Sequence, residues 1–190
     1  MLVPLLGIYL VLLSSSRFNA PFDWSGWIEP AVYEPRARSS LPGLRGMDLS
    51  VKTVESLETM VDLIKKNSSP NDSIFVFPHF PMIYTLSERS PATFSQVQWP
   101  DVCPDYLAIQ DANTLRQSPP KIIVEMVIRE KVLRDQEISF RGSALSGQRD
   151  IIQTISSLTQ NYQLLGEFKK APFYSPVRIW LRQDKNNLAH

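Results

Sequence analysis

The stretch at residues 121–129, KIIVEMVIR, narrows the folds open to this chain more than any other part of it. Read with a period of two, Ile122, Val124, Met126 and Ile128 take one face, and Ile123, Glu125 and Val127 take the other. Both faces are mainly apolar, so the strand needs cover on both sides, as a central strand of a helix-flanked sheet has. Pro119 and Pro120 mark its entry.

The covering elements are legible on either side. Val54, Leu57, Val61 and Ile64 recur at helical spacing, in a segment opened by Ser50 as N-cap and closed by Lys65, Lys66 and Asn67. Residues 74–77, IFVF, form a second wholly apolar strand halted by Pro78. Short helices are expected at 82–88 and 111–117, and a polar, mobile loop at 130–148. Ile151, Ile155, Leu158 and Tyr162 mark another amphipathic helix. Strands at 162–168 and 177–182 close the pattern. The last alternates Val177, Ile179 and Leu181 against Arg178, Trp180 and Arg182, which predicts a half-buried antiparallel strand near an edge. This order predicts an α/β fold: a three-layer sandwich of a mainly parallel sheet, helices on both faces and a C-terminal antiparallel strand pair. The predicted organisation is an apolar membrane-proximal segment at 1–17, an irregular connector rich in Pro and Gly at 18–49, and the α/β domain at 50–185.

Residues 2–13, LVPLLGIYLVLL, carry no charge. Twelve helical residues reach about 18 Å, against about 30 Å of bilayer hydrocarbon. The trailing end of a transmembrane helix, the apolar region of a signal peptide and a buried helix all remain open. Arg17, Phe18, Phe22, Trp24 and Trp27 follow directly, a composition typical of the membrane–water boundary, and equally that of rings docked on a domain.

The chain's chemistry is constrained by what it lacks. Twenty Lys and Arg against 19 Asp and Glu leave a formal charge of +1, without the basic excess that nucleic-acid binding requires. One cysteine excludes an internal disulfide. The turn after the first buried strand, Pro78-His79-Phe80-Pro81, holds no glycine to bring backbone N–H groups onto a phosphate, so a dinucleotide or Walker-type site is excluded there. His79 is either a general base or ligand-orienting group, or a histidine held by a proline-rigid turn. Cys103, flanked by Asp101 and Asp105, is expected to be inert, with a thiol pKa raised by the carboxylates. Glu125, a carboxylate inside an apolar strand, either pairs with a cation such as Arg89 or Arg149, or projects into a cleft. Trp180 between two arginines either stacks on a ligand or covers a strand face. No cofactor or metal site is expected.

Residues 73–94, SIFVFPHFPMIYTLSERSPATF, carry a family resemblance. Phe75 to Pro78, Pro81, Tyr84, Leu86, Arg89, Pro91 and Thr93, with the earlier LPGLRG at 41–46 and the Pro119 to Glu125 entry, resemble the soluble C-terminal portion of bacterial multi-pass GT-C glycosyltransferases. These are the RgtA/B/C/D-like group, related to the dolichyl-phosphate-mannose protein mannosyltransferases. The resemblance implies a membrane-associated domain on the extracytoplasmic side, in an enzyme using a polyprenyl-phosphate sugar donor. The family's catalytic carboxylates lie in a loop between earlier transmembrane helices that has no counterpart in these residues. The resemblance therefore implies an accessory role, with catalysis outside this chain. With His79 and Glu125 singled out above, the matched Tyr84 and Arg89 are the candidates for binding a glycan or lipid-linked sugar. The alternative is a stand-alone membrane-anchored or secreted binding module without catalysis.

Overall fold

The computed structural model describes residues 2–24, 27–169 and 172–183, and they fall into two compact units. The described residues of 1–60 and 168–176 form one; those of 61–167 and 177–190 form the other.

The first unit begins with helix α1 (Leu2–Asn19). Leucine is a strong helix former, and Pro4 lies in the first turn, where its missing N–H costs nothing. The helix ends before Pro21, with the Asn19 amide nitrogen donating to the Ser15 carbonyl at 2.9 Å. The predicted irregular connector contains short antiparallel pairs: β1 (Asp23–Trp24) with β2 (Trp27–Ile28), and β3 (Arg36–Arg38) with β4 (Asp48–Ser50). Their centre is polar as well as apolar. Glu29, 3% exposed, accepts hydrogen bonds from the Ser50 amide at 2.5 Å, the Thr53 hydroxyl at 2.8 Å and the Arg36 guanidinium at 3.2 Å. Trp27 is buried, in edge contact with Phe22 and with Phe173 from the returning 168–176 segment. Trp27 is thus a docked ring. Gly26 and the Trp24 side chain lie outside the described residues.

Helix α2 (Val51–Lys66) leads from the first unit into the second. Ser50 caps it as expected, its hydroxyl accepting the Thr53 amide at 3.1 Å. The second unit continues with β5 (Ser73–Phe77), α3 (Met82–Ser87), β6 (Ser90–Pro91), α4 (Asp105–Gln117), β7 (Ile122–Met126), α5 (Glu130–Arg141), α6 (Gln148–Leu158), β8 (Tyr162–Phe168) and β9 (Val177–Arg182). The fold is mixed α/β. The five-stranded sheet has the order β6-β5-β7-β9-β8, with β5 parallel to β6 and β7, and β7 antiparallel to β9. As predicted, the 121–129 run supplies the central strand: Ile122, Ile123 and Val124 are inaccessible, so both sheet faces are covered. On one face Phe75, Phe77 and Ile123 share a core with Ala108, Ala112 and Leu115 of α4 and Ile151 and Ile155 of α6.

β9 lies next to the edge strand β8 and antiparallel to β7, as predicted. Two expectations are corrected. The supposed mobile loop at 130–148 contains α5, whose buried side chains are Leu133 and Glu137. The stretch is dominated by polar residues, and its buried stripe pairs Leu133 with a carboxylate rather than with a second apolar side chain. Instead Glu137 is sequestered by charge: it accepts from Arg149 at 2.7 and 2.9 Å, from Arg134 at 3.3 Å, and from the Ser146 amide and hydroxyl at 2.9 and 3.1 Å. α4 also starts earlier than predicted, at Asp105 directly after Pro104.

Candidate functional site

Ligands of open α/β sheets sit where parallel strands end, and in the second unit that place is the C-terminal end of β5 and β7. The backbone gathers three of the four candidate residues there. Glu125 lies beside Phe77 in register, His79 follows Phe77 by two residues, and Tyr84 reaches back to the neighbouring Val76. Arg89 is at the opposite end. Ser90 pairs with Ser73, the first residue of β5, so Arg89 stands at the strand's beginning.

The turn after β5 opens with a cis Phe77–Pro78 bond. His79 packs its ring on Phe80 (centroids 4.6 Å apart) and on Trp99 (5.4 Å). Trp99 is delivered by a loop that a buried polar network fixes. Asp111 of α4, 2% exposed, accepts from the amides of Phe94 and Ser95 at 3.3 and 3.1 Å and from the Gln98 side chain at 2.7 Å. The Gln98 amide then donates to the Pro78 carbonyl at 2.6 Å, which ties the loop to the His79 turn. His79 and Trp99 are both half-buried at this turn, with the two ring nitrogens of His79 shut off from solvent. Sequence reasoning missed Asp111, Gln98 and Trp99. Asp111 lay within a predicted helix, and nothing local says that its carboxylate points at backbone amides sixteen and seventeen residues away.

Tyr84 is a structural group. β6 is two residues long, so β5 runs past it, and the Val76 amide would lack an acceptor. The Tyr84 hydroxyl accepts that amide at 3.0 Å. Burial pushes the phenol up to about 12. Tyr84→Phe removes that acceptor and leaves a buried N–H without one. The expected loss is about 1–3 kcal/mol in urea unfolding, and an unchanged midpoint would refute the assignment.

Arg89, 8% exposed, also spends its donors on the fold. It reaches the Ser68 hydroxyl at 2.9 Å and the carbonyls of Ser68, Ser87 and Glu88 at 2.7, 3.0 and 3.2 Å. It thereby satisfies backbone acceptors just beyond the C-terminal ends of α2 and α3, where a cation also complements the helix dipoles.

Glu125 pairs with neither of the arginines considered from sequence. Arg89 holds the helix ends, and Arg149 holds Glu137 and Glu130. Glu125 accepts the Trp180 indole N–H at 2.9 Å and lies opposite Arg178, which binds Glu167 at 2.9 Å. Trp180 is therefore hydrogen-bonded across the β7–β9 ladder while its ring borders the α4–α6 core. Cys103 is buried, its thiol donating to the Gln98 side-chain oxygen at 3.2 Å, and burial raises its pKa. Among the described residues no group of three or more His, Cys, Asp or Glu side chains is placed to hold a metal ion. The site's assets are thus the His79–Trp99 ring pair and the Glu125–Trp180 pair. These are groups suited to stacking and hydrogen bonding.

The first unit carries the other conspicuous surface. Leu5, Leu6, Ile8, Tyr9, Leu10, Val11 and Leu12 of α1 are each more than half exposed, on every side of the helix. Among the described residues no helix is long and apolar enough to cross a membrane.

Comparison with protein-family models, with curated proteins and with solved structures finds no match for this chain.

Proposed function

We propose that this chain is a membrane-associated accessory domain on the extracytoplasmic side of a GT-C-type glycosyltransferase, with the catalytic residues outside the chain. The observation that carries the membrane part is α1, whose apolar side chains are exposed all round. A helix apolar on every face belongs in a core or in lipid, and this one is in no core. The glycosyltransferase part is supported by the resemblance at residues 73–94, which here fold as β5, the His79 turn, α3 and β6. In this reading the sheet is the middle of three layers, and the partly exposed His79–Trp99 pair meets a sugar ring of the glycan or of a polyprenyl-phosphate-linked donor. No nucleic acid is involved.

The alternative, a stand-alone membrane-anchored binding module, rests on the same helix and differs in the size of the native protein. An antibody against residues 50–182 decides between them on separated membrane and soluble fractions of the source cells. A membrane-bound band well above the 21.7 kDa of this chain is expected. A membrane-bound band at that size would select the anchored binding module, a soluble one the secreted module, and either would overturn the accessory-domain reading.

A further inference from the structure

At the end of α1, two segments that are distant in sequence come together. The Val32 amide donates to the Phe18 carbonyl at 2.9 Å, the Tyr33 hydroxyl donates to the Asn19 side-chain oxygen at 3.0 Å, and the Glu29 amide donates to the Phe22 carbonyl at 2.8 Å. These bonds fold the 29–33 segment back on the helix end. They assemble a ring of exposed apolar side chains around it: Phe18 at 59%, Phe22 at 53%, Val32 at 38% and Tyr33 at 74%. A shallow groove of about 510 Å³ runs between Leu13, Arg17, Phe18 and Val32.

We infer that this ring is a collar seated at the boundary between headgroups and acyl chains of a phospholipid bilayer, fixing how deeply the chain sits in the membrane. The inference rests on the proposal that α1 enters the bilayer, and adds to it the collar and its depth. The occupant follows from the geometry of α1. Exposed apolar residues at 5, 6 and 8–13, set 100° apart, sweep the whole circumference of the helix. A protein partner covers one stripe of a helix; lipid covers all of it. Phe18 stands five residues beyond Leu13, about 7.5 Å along the helix, which matches the thickness of one headgroup layer. Aromatic rings favour that layer because it accepts an apolar body and a polar tip, which Tyr33 supplies. Exposed Arg17, on a long apolar stem at the same level, takes the position from which a snorkelling cation meets lipid phosphate.

The test uses the full chain in phosphatidylcholine vesicles, spin-labelled at a cysteine introduced by Leu10→Cys, Phe18→Cys, Tyr33→Cys or Ser40→Cys. Native Cys103 is 2% exposed and stays unlabelled. Collision rates with oxygen, which concentrates in lipid, and with a nickel chelate, which stays in water, read the depth of each label. Labels at 10, 18 and 33 should collide with nickel at least fivefold less than the label at 40, with oxygen highest at 10. Nickel rates at 18 and 33 equal to that at 40, with 10 still protected, would overturn the collar and leave the anchoring of α1 intact. A label at 10 as nickel-accessible as that at 40 would overturn the membrane reading itself. Protection at all three positions in a soluble oligomer that does not float with the vesicles would overturn the collar in favour of self-association.

Discussion

Gly147→Ala is expected to lower the stability of the chain by about 3 kcal/mol, the upper end of the usual cost of overpacking. Gly147 directly precedes α6, and a Cβ built there would stand 2.5 Å from the Asp105 carbonyl oxygen, 2.9 Å from its Cα and 3.0 Å from its carbonyl carbon. All three are backbone atoms at the start of α4, so no side-chain rotation relieves the contact. The approach also carries bonds: the Gly147 amide donates to the Asp105 carboxylate at 3.0 Å, and Arg141 binds the same carboxylate at 2.8 Å. Separating the two helix starts loosens the α4–α6 face of the core together with these polar contacts. The backbone at Gly147 has φ −59°, open to any residue, so the effect comes from space alone. Gly142→Ala is the control. Nothing lies within 4 Å of its Cβ position, but its φ of +55° is left-handed, so its cost should be about 1–2 kcal/mol from conformation only. Thermal unfolding should show Gly147→Ala melting about 6–12 °C below the parent chain. A smaller shift than that of Gly142→Ala would refute the close approach.

Acid should remove a comparable amount of stability through one carboxylate. Glu137 is inaccessible, and the Arg149 guanidinium beside it, with the Ser146 amide and Arg134, lowers its pKa to about 2 against an ordinary 4.5. Because the folded value is depressed, the stabilisation is fully present above pH 4.5 and is lost as pH falls towards 2. A shift of that size corresponds to about 3 kcal/mol. Glu137→Gln keeps the shape but cannot ionise. Its deficit against the parent in urea unfolding should therefore be largest near pH 7 and shrink towards zero near pH 2. An equal deficit at both ends would mean that the group acts through packing rather than charge. The dependence has a structural basis. α5 buries little besides Leu133 and this carboxylate, so its attachment is ionic where that of α4 or α6 is apolar.

The same contrast divides what could be read from the chain. The alternation at 121–129 was sufficient to make β7 a central strand, and the apolar run at 74–77 was sufficient for β5 as a buried one. The spacing of Val54, Leu57, Val61 and Ile64 was sufficient for α2. Burial of apolar surface follows the local period of the backbone, so a strand or helix whose inward face is apolar announces itself. α5 does not, because Glu137 is buried by partners nine and twelve residues further along that no local rule pairs with it.

The candidate site divides in the same way. Sequence put His79 in a rigid turn and Glu125 on an apolar strand, and chose Tyr84 and Arg89 from a family resemblance. Only the tertiary structure decided that Tyr84 serves a strand amide and Arg89 two helix ends, and that Trp99 stands against His79. Composition and period determine which elements form and which faces turn inward. The partner of each polar group is decided by contacts far apart in sequence, since a buried donor or acceptor must be satisfied by whatever the fold brings within 3 Å.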